Sequence, residues 1–407
     1  MKNRKVKVGV VGCGVVATAY YLPHLMGMEN VELTAVCDLN EARIGHCQRL
    51  FGARQIYTDY FEMLEKSGID AVFILTSPGS HVRFTLAAIE AGIHVLLQKP
   101  MATGMKDALA IARAVRKTEL VALIEPSDHS PLDWRYDEVR RLIGKGVLGD
   151  PYWFACIGRG GTKKSAMSGG NPYGVGAFFS RDSGGMLFDF PYAPTMIVTL
   201  LGDCKSVQGL ARISAPERWV VPDSEYDVFL EECRDPADCN YWTVVMEKEK
   251  TQKTTMEAPD NVYSLYEMAN GWIGAFHIGR LFQQALPGVT FGNLEIYGTE
   301  GHLLLHTENF ASICSTRTEL LPKTDENGWY HIPHPKGPPN PAHLPIPGAF
   351  NYYHESCDHF IECIQEGKDP ILNVEWGLHI TEMMCGAIES AETGRRYEMT
   401  TTTKGFL

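Results

Sequence analysis

The sequence predicts an α/β protein in two parts. An N-terminal doubly wound parallel sheet is followed by an α+β region built on a large, mostly antiparallel, open sheet. Three observations carry this expectation. Over residues 1–125, short β-branched runs alternate with helix-period segments, the arrangement that gives parallel strands joined by helical crossovers. Beyond Pro126 the alternation stops, and from Val207 onward strand signals joined by tight turns dominate. At 407 residues the chain is also too long for one ordinary core, so a division into 1–125 and 126–407 is expected.

Val6, Val8, Val10 and Val11 make the first run, which has no helix period and reads as a buried strand. It ends in Gly12-Cys13-Gly14-Val15-Val16-Ala17, a G-x-G-x-x-A turn that opens a helix. In such a turn the first glycine permits the tight bend and the second lets backbone N–H groups approach a diphosphate. The small Ala17 lets the helix pack on the strand. Val31 to Val36 is a second strand leading to Asp38, 21 residues beyond Ala17 and close to the roughly 20 expected of an acid that holds a ribose diol. Strand, glycine turn, helix, strand and acid in that order describe a Rossmann dinucleotide site. Gly12, Gly14, Val15, Val16 and Asp38 are its expected cofactor contacts. Asp38 favours NAD, since a carboxylate there repels the 2′-phosphate of NADP. Arg43, five residues on, is placed to lie beside the adenine.

The following elements continue the pattern. Asn40 to Phe51 is helical, and Asp59 caps a short helix through Leu64. Ala71 to Leu75 is a strand broken by Thr76-Ser77-Pro78-Gly79-Ser80, and a helix follows from His81 to Ala91. His94 to Leu97 is a strand ending in Gln98-Lys99-Pro100; Met105 to Arg116 is a helix and Leu120 to Ile124 a strand. Ligands of such sheets sit beyond the carboxyl ends of the strands, where Gly12, Asp38, Ser77 and Lys99 all fall. In the second half, Trp134 to Ile143 has helix spacing and Pro151 to Arg159 strand character. Residues 160–185 form a long Gly-, Ser- and Lys-rich loop, and Asp189 to Leu201 can be a helix. Two hairpins follow, one turning at Asn270-Gly271 and one at Gly298 to Gly301. His331 to Pro347 is an extended proline-rich arm, and the helices Tyr352 to Gln365 and Trp376 to Thr393 come last. An open antiparallel sheet needs one face covered, which points to a homo-oligomer, dimer, tetramer or larger.

Composition narrows the function. A formal net charge of −12 argues against nucleic acid or an anionic membrane as partner, and no apolar run approaches the roughly 20 residues that span a bilayer. The first apolar stretch is the nucleotide-site strand itself, so no secretory signal is expected. Eleven cysteines, odd in number and scattered through core elements, read as buried thiols in a reducing, cytoplasmic setting. His354 and His359 imitate H-E-x-x-H with one residue too many; at 100° per residue they point apart, so no metal is expected.

These residues together resemble the Gfo/Idh/MocA family, named for glucose–fructose oxidoreductase, inositol dehydrogenase and MocA. The resemblance runs almost end to end: GCGVVA, AVCD at Asp38, TSPGSH ending at His81, AIEAGIHVLLQKPMA around Lys99, SGGMLFD at Asp189, LEIYGTEG from Leu294, and WGLHITEMMCGAIESAETGRR. It implies a Rossmann domain with a C-terminal open-sheet domain, and NAD(P)-dependent oxidation or reduction of a sugar, sugar derivative or cyclitol. Lys99 matches the lysine of the family's E-K-P motif, the acid/base beside the nicotinamide; next to that cation the amine form is favoured and can take a hydroxyl proton.

The match departs from the family at two points. Gln98 replaces the motif's glutamate, which leaves Lys99 without that negative charge and readier to lose its proton. Ala193 stands where the family's D-x-x-x-H pattern has histidine, while Asp189 keeps its place. Tyr192 is then the substitute proton relay, its phenol pKa expected to fall beside Lys99, or else a packing residue. Thr76, Ser77, Pro78, His81 and Gln98 line the cofactor crevice by this resemblance, and His129, Arg159, Lys163 and Tyr173 the substrate side. Three functions stay open: an NAD-dependent sugar, glycoside or cyclitol dehydrogenase; a glycosidase working through transient oxidation on retained NAD; and a non-enzymatic sugar or NAD sensor.

Overall fold

The computed structural model describes residues 4–14, 16–159, 180–234, 244, 248–279, 293–305, 309–333 and 352–403. Its first sheet contains β1 Val6–Val11, β2 Val31–Cys37, β3 Gln55–Tyr57, β4 Ala71–Ile74, β5 His94–Leu97 and β6 Ala122–Ile124. They run β3-β2-β1-β4-β5-β6, every pair parallel. The expected doubly wound sheet is therefore present. Strand order reverses between β1 and β4, which opens the ligand crevice at their carboxyl ends. Helices cover both faces, so β4 is buried at every position and needs no polar alternation.

Local chemistry sets the helix starts. Asn40 accepts the N–H groups of Ala42 and Arg43 and so caps Glu41–Phe51; Asp59 does the same for Tyr60–Lys66 through Phe61 and Glu62. The helix after the glycine turn departs from a plain α-helix. It opens as one π turn, Ala17–Tyr21, and becomes α-helical over Leu22–Gly27, where Pro23 has no N–H to offer the preceding turn.

The second half builds β7 Pro151–Arg159 and β8 Cys204–Arg212, then a separate ribbon of β9 Glu217–Val220 with β10 Gln252–Thr255. Next come β11 Asn261–Met268, β12 Ile273–Gly279, β13 Asn293–Gly298, β14 Gly301–Leu305, β15 Ala311–Ser315, β16 Trp329–Ile332 and β17 Tyr397–Glu398. Nine strands join in the order β16-β15-β14-β13-β7-β12-β11-β8-β17. All neighbours are antiparallel except β12 and β7. Asn270-Gly271 turns one hairpin, with Gly271 at φ 98°, a conformation a side chain would strain.

Three elements differ from expectation. The segment from Asp189 to Leu201 is not one helix: Met186–Asp189 forms one turn, and Tyr192–Leu201 begins afresh after Pro191, which cannot donate within a continuing helix. Trp134 to Ile143 opens as a 3₁₀ turn, Trp134–Tyr136, before the α-helix Asp137–Gly144. Among the strands after Val207 stands a helix, Asp223–Glu232, docked on Glu41–Phe51 of the nucleotide half. Most of the 160–185 loop and of the proline-rich arm lies outside the described residues. Nine described cysteines are free thiols, seven of them buried, but Cys233 is disulfide-bonded, which corrects the expectation of thiols throughout.

One contiguous apolar core runs from Val8 and Phe73 through Tyr21 and Phe360 to Phe154, Phe276 and Ile296, so the two sheets share it. The helix Val374–Thr393 packs against a strand of each sheet, β6 and β8. A Cβ on its Gly377 would stand 2.5 Å from Ile124 of β6, and a Cβ on Gly209 of β8 would stand 1.9 Å from the Ala387 carbonyl oxygen. Arg116 also grips Glu375 at the helix start with two bonds of 2.6 Å. Among the described residues, no helix is long and apolar enough to cross a membrane.

The backbone-to-backbone approach at Gly209 cannot yield to a side chain rotation. Gly209→Ala is expected to destabilise the fold by about 2–3 kcal/mol, read as a lower midpoint in thermal or urea unfolding, whereas Gly45→Ala, in open space inside the helix Glu41–Phe51, is expected to stabilise it by about 0.5–1 kcal/mol.

Candidate active site

The crevice is built from four strand ends. At the end of β1, Gly12 sits at φ 91°, and a Cβ there would lie 2.7 Å from the Leu75 carbonyl oxygen. Gly14 has nothing within 4 Å of a hypothetical Cβ, so its backbone faces open space that a diphosphate can enter. Val16 lies at the start of the helix; Val15 falls outside the described residues. At the end of β2 the Asp38 carboxylate is fixed by two backbone donors, Cys13 N–H at 2.7 Å and Asn40 N–H at 2.9 Å. It therefore faces the glycine turn. Arg43 reaches across to the second half: its Nε donates to Asp227 Oδ1 at 3.2 Å, and Asn40 Nδ2 donates to the same oxygen at 3.2 Å.

Beyond β4, Thr76 Oγ1 lies 2.6 Å from Ser80 Oγ, Ser77 is exposed, and Pro78 starts a single 3₁₀ turn. His81 is wholly buried, so its ring is a fastener rather than a lining group. Its Nδ1 lies 2.8 Å from the Pro100 carbonyl oxygen and its Nε2 3.0 Å from that of Thr76. Burial pushes its pKa down. This ring ties the loop after β4 to the turn that carries Lys99.

Lys99 follows β5, and its peptide bond to Pro100 is cis. Its Nζ donates to Asp189 Oδ1 and to the Asp189 carbonyl oxygen, both at 2.9 Å, and the two side chains are 12% and 7% exposed. Asp189 is presented by two glycines with positive φ. A Cβ on Gly184 would strike the Phe188 ring at 2.7 Å, and one on Gly185 the Pro259 carbonyl oxygen at 2.7 Å. The pair thus joins the nucleotide half to the second half inside the crevice.

Of the two expectations for Tyr192, relay or packing, its surroundings match packing. The ammonium lies 5.4 Å from the ring centroid, and the hydroxyl lies 3.4 Å from that of Tyr353. Burial pushes the phenol pKa well up, opposite to the lowering expected beside a cation. The ring is a wall for the lysine. Ala193 is buried in the helix that follows.

The expectation that the Gln98 side chain faces the cofactor is corrected. Gln98 is 4% exposed and lies beneath the crevice floor. Its Oε1 accepts the backbone N–H of Lys99 at 2.9 Å and its Nε2 donates to Tyr21 Oη at 2.9 Å. Tyr21 in turn donates to Glu125 Oε1 at 2.8 Å. Sequence reasoning misses Glu125, Tyr21 and Tyr353 as site residues. A local signal for Glu125 exists: Glu125-Pro126 follows β6 as Gln98-Lys99-Pro100 follows β5.

His129, expected on the substrate side, is held at φ 64°, a region a non-glycine side chain rarely adopts. Its Nδ1 is 2.5 Å from Tyr136 Oη, and its ring meets that of Tyr192 edge-on at 6.3 Å. Asp128, His129 and Asp133 bring three ligand atoms within 4.8 Å of one another. The Arg135 guanidinium already bonds both carboxylates, at 2.9 Å to Asp128 and 2.8 Å to Asp133, and supplies the positive charge a cation would bring. Arg159 ends β7, with its side chain outside the described residues, as are Lys163 and Tyr173. His354 stacks on His24 at 4.0 Å, while His359 accepts the Ile371 N–H at 2.9 Å, so the two do not share a site.

The glycine turn, the open space above Gly14 and the anchored Asp38 fit a dinucleotide, with backbone N–H groups toward the diphosphate and the carboxylate toward the ribose. Comparison with known proteins agrees. Residues 6–125 match the family model described as "Oxidoreductase family, NAD-binding Rossmann fold", and residues 136–304 that of the GFO/IDH/MocA C-terminal domain. The chain belongs to the Gfo/Idh/MocA family. It is 22% identical to D-glucoside 3-dehydrogenase of Escherichia coli K12 over 98% of this chain and 99% of that one. It is 31% identical to inositol 2-dehydrogenase 4 of Saccharopolyspora erythraea over 39% of this chain, a match spanning 47% of that relative's length. Levoglucosan dehydrogenase, solved with NADH and L-sorbose, has the same fold, with a TM-score of 0.73 at 19% identity over 98% of this chain and 99% of that one.

Burial, then the charge of Arg135, pushes the His129 pKa down to about 3, while burial pushes that of Asp128 up to about 6. Below about pH 6, folding thus releases a proton from His129 and takes one up on Asp128, and the two effects on stability cancel. In Asp128→Asn only His129 remains. Unfolding then takes up a proton below its ordinary pKa, so stability should fall by up to about 1.4 kcal/mol per pH unit between about pH 6 and 4.5. Thermal melts of both proteins across that range check this; equal slopes would contradict it.

Proposed function

We propose that this protein is an NAD-dependent oxidoreductase moving a hydride between nicotinamide and a hydroxyl-bearing carbon of a sugar, glycoside or cyclitol. The observation that carries this reading is Lys99 at the end of β5, its Nζ aimed by Asp189 from the other half of the molecule at 2.9 Å, in the crevice headed by the glycine turn. Relatives named for inositol, glucoside and levoglucosan support the substrate class.

Gly12, Gly14, Val15 and Val16 would cradle the diphosphate, Asp38 the adenosine ribose, and Thr76, Ser77 and Pro78 the edge of the crevice, with Arg43 at the adenosine end. When bound, the nicotinamide supplies a hydride acceptor or donor. Lys99 handles the proton: its amine takes the hydroxyl hydrogen during oxidation, and its ammonium returns one to the carbonyl oxygen during reduction. Asp189 orients Nζ by accepting its hydrogen bonds. The Tyr192 ring shields the lysine from water. His129, neutral at working pH, offers the substrate an uncharged ring, with Arg159, Lys163 and Tyr173 expected around the sugar.

We place the division between halves at 125/126. The open face of the large sheet exposes Leu210, Tyr263, Leu265 and Ile273 on β8, β11 and β12, with Leu210 and Tyr263 directly paired. Such an apolar stripe supports a homo-oligomer assembled through this face. The buried free thiols support a reducing, cytoplasmic setting, against which the Cys233 disulfide stands.

The test is to purify the protein and screen NAD⁺ with cyclitols, aldoses and glycosides for net NADH. Lys99→Met is expected to lower kcat by about a hundredfold or more while NADH binding, read by fluorescence titration, stays within about twofold. Glycoside cleavage without net NADH, or undiminished turnover in Lys99→Met, would overturn the reading.

A further inference from the structure

Gln98 lacks the charge of an acid at that position, but a carboxylate stands two hydrogen bonds away. The chain of donors runs in one direction. Gln98 Nε2 donates to Tyr21 Oη at 2.9 Å, and Tyr21 Oη–H donates to Glu125 Oε1 at 2.8 Å. Ser356 Oγ–H donates to the same oxygen at 2.5 Å, and the Ser127 N–H to Glu125 Oε2. At the other end, Gln98 Oε1 accepts the Lys99 N–H at 2.9 Å, which fixes the backbone that carries the lysine. Glu125 is 3% exposed, Gln98 4%, and Tyr21 and Ser356 are fully buried, so water cannot substitute for any link.

This polarity leaves little choice at residue 98. A phenol has one proton. With a glutamate side chain in place of Gln98, two carboxylates would both need that proton, and one buried carboxyl group would have to take up a proton or lose its donor. An amide at 98 and an acid at 125 solve the problem together. The reverse assignment also solves it: Tyr21 would donate to the acid at 98 and accept from the amide at 125, while Ser356 accepts the second amide N–H and turns its own hydrogen to the Tyr353 carbonyl oxygen, 3.1 Å away.

We propose that Glu125 is a positioning residue for Lys99, acting through Tyr21 and Gln98, and that residues 98 and 125 must carry one amide and one carboxylate between them. The inference rests on the reading of Lys99 as the acid/base, but its coupling can be measured without any substrate.

The experiment compares wild type with Gln98→Glu, Glu125→Gln and the double swap. Melting reads the coupling: each single variant is expected to melt lower, and the swap to recover most of the loss, whereas additive losses would overturn the proposal. Turnover reads the positioning: each single variant should lose about tenfold in kcat with NADH affinity and sugar KM within about twofold, and the swap should return to within about threefold of wild type. Single variants with wild-type kcat would overturn the positioning role even if the melting is coupled. If wild type itself shows no dehydrogenase turnover, the reading of the previous subsection fails and the positioning role falls with it, while the melting cycle still decides the coupling.

Discussion

The contact between Lys99 and Asp189 is the constraint on which the rest of the site depends. It links a strand end of the nucleotide half to a short helical turn of the second half, and both partners are nearly buried. Burying an ammonium is costly unless a carboxylate meets it in good geometry, and removing one partner of such a pair costs about 3–5 kcal/mol. The features around the pair serve its geometry. Gly184 and Gly185 turn the chain so that Asp189 can point inward, His81 pins the Pro100 carbonyl to the loop after β4, and Tyr192 covers the lysine with its ring. The shared core and the helix Val374–Thr393 then hold the two halves at the spacing the pair requires.

Much of this is legible in the sequence where the deciding interaction is local. β-branched runs give away the strands of the first sheet because both of their faces are covered. The caps at Asn40 and Asp59 mark helix starts because the capping oxygen bonds its own next turn. The glycine turn and Asp38 are readable because their spacing reflects one βαβ unit.

What cannot be read depends on partners far along the chain. Gln98 meets Tyr21 across 77 residues and Tyr21 meets Glu125 across 104, so a substitution that looks like a lost charge gives no sign of the acid that accompanies it. The helix Asp223–Glu232 is hidden among strand signals. Its support is tertiary, through Asp227 against Asn40 and Arg43, rather than a strong apolar stripe of its own. The sequence puts Tyr192 in the right neighbourhood and leaves relay and packing both open; the buried ring 5.4 Å from the lysine ammonium favours packing. The helix break before it does have a local signal, Pro191, which ends the short turn at Asp189.

In the proposed mechanism Lys99 does its chemistry because Asp189, from the other half of the chain, aims it. The most direct measurement is steady-state turnover of Asp189→Asn on the best sugar or cyclitol substrate, beside NADH titration of the same protein. The expected result is a kcat lower by about tenfold or more with NADH affinity unchanged, since the amide keeps the size but not the charge that orients the amine. Wild-type kcat in Asp189→Asn would contradict it.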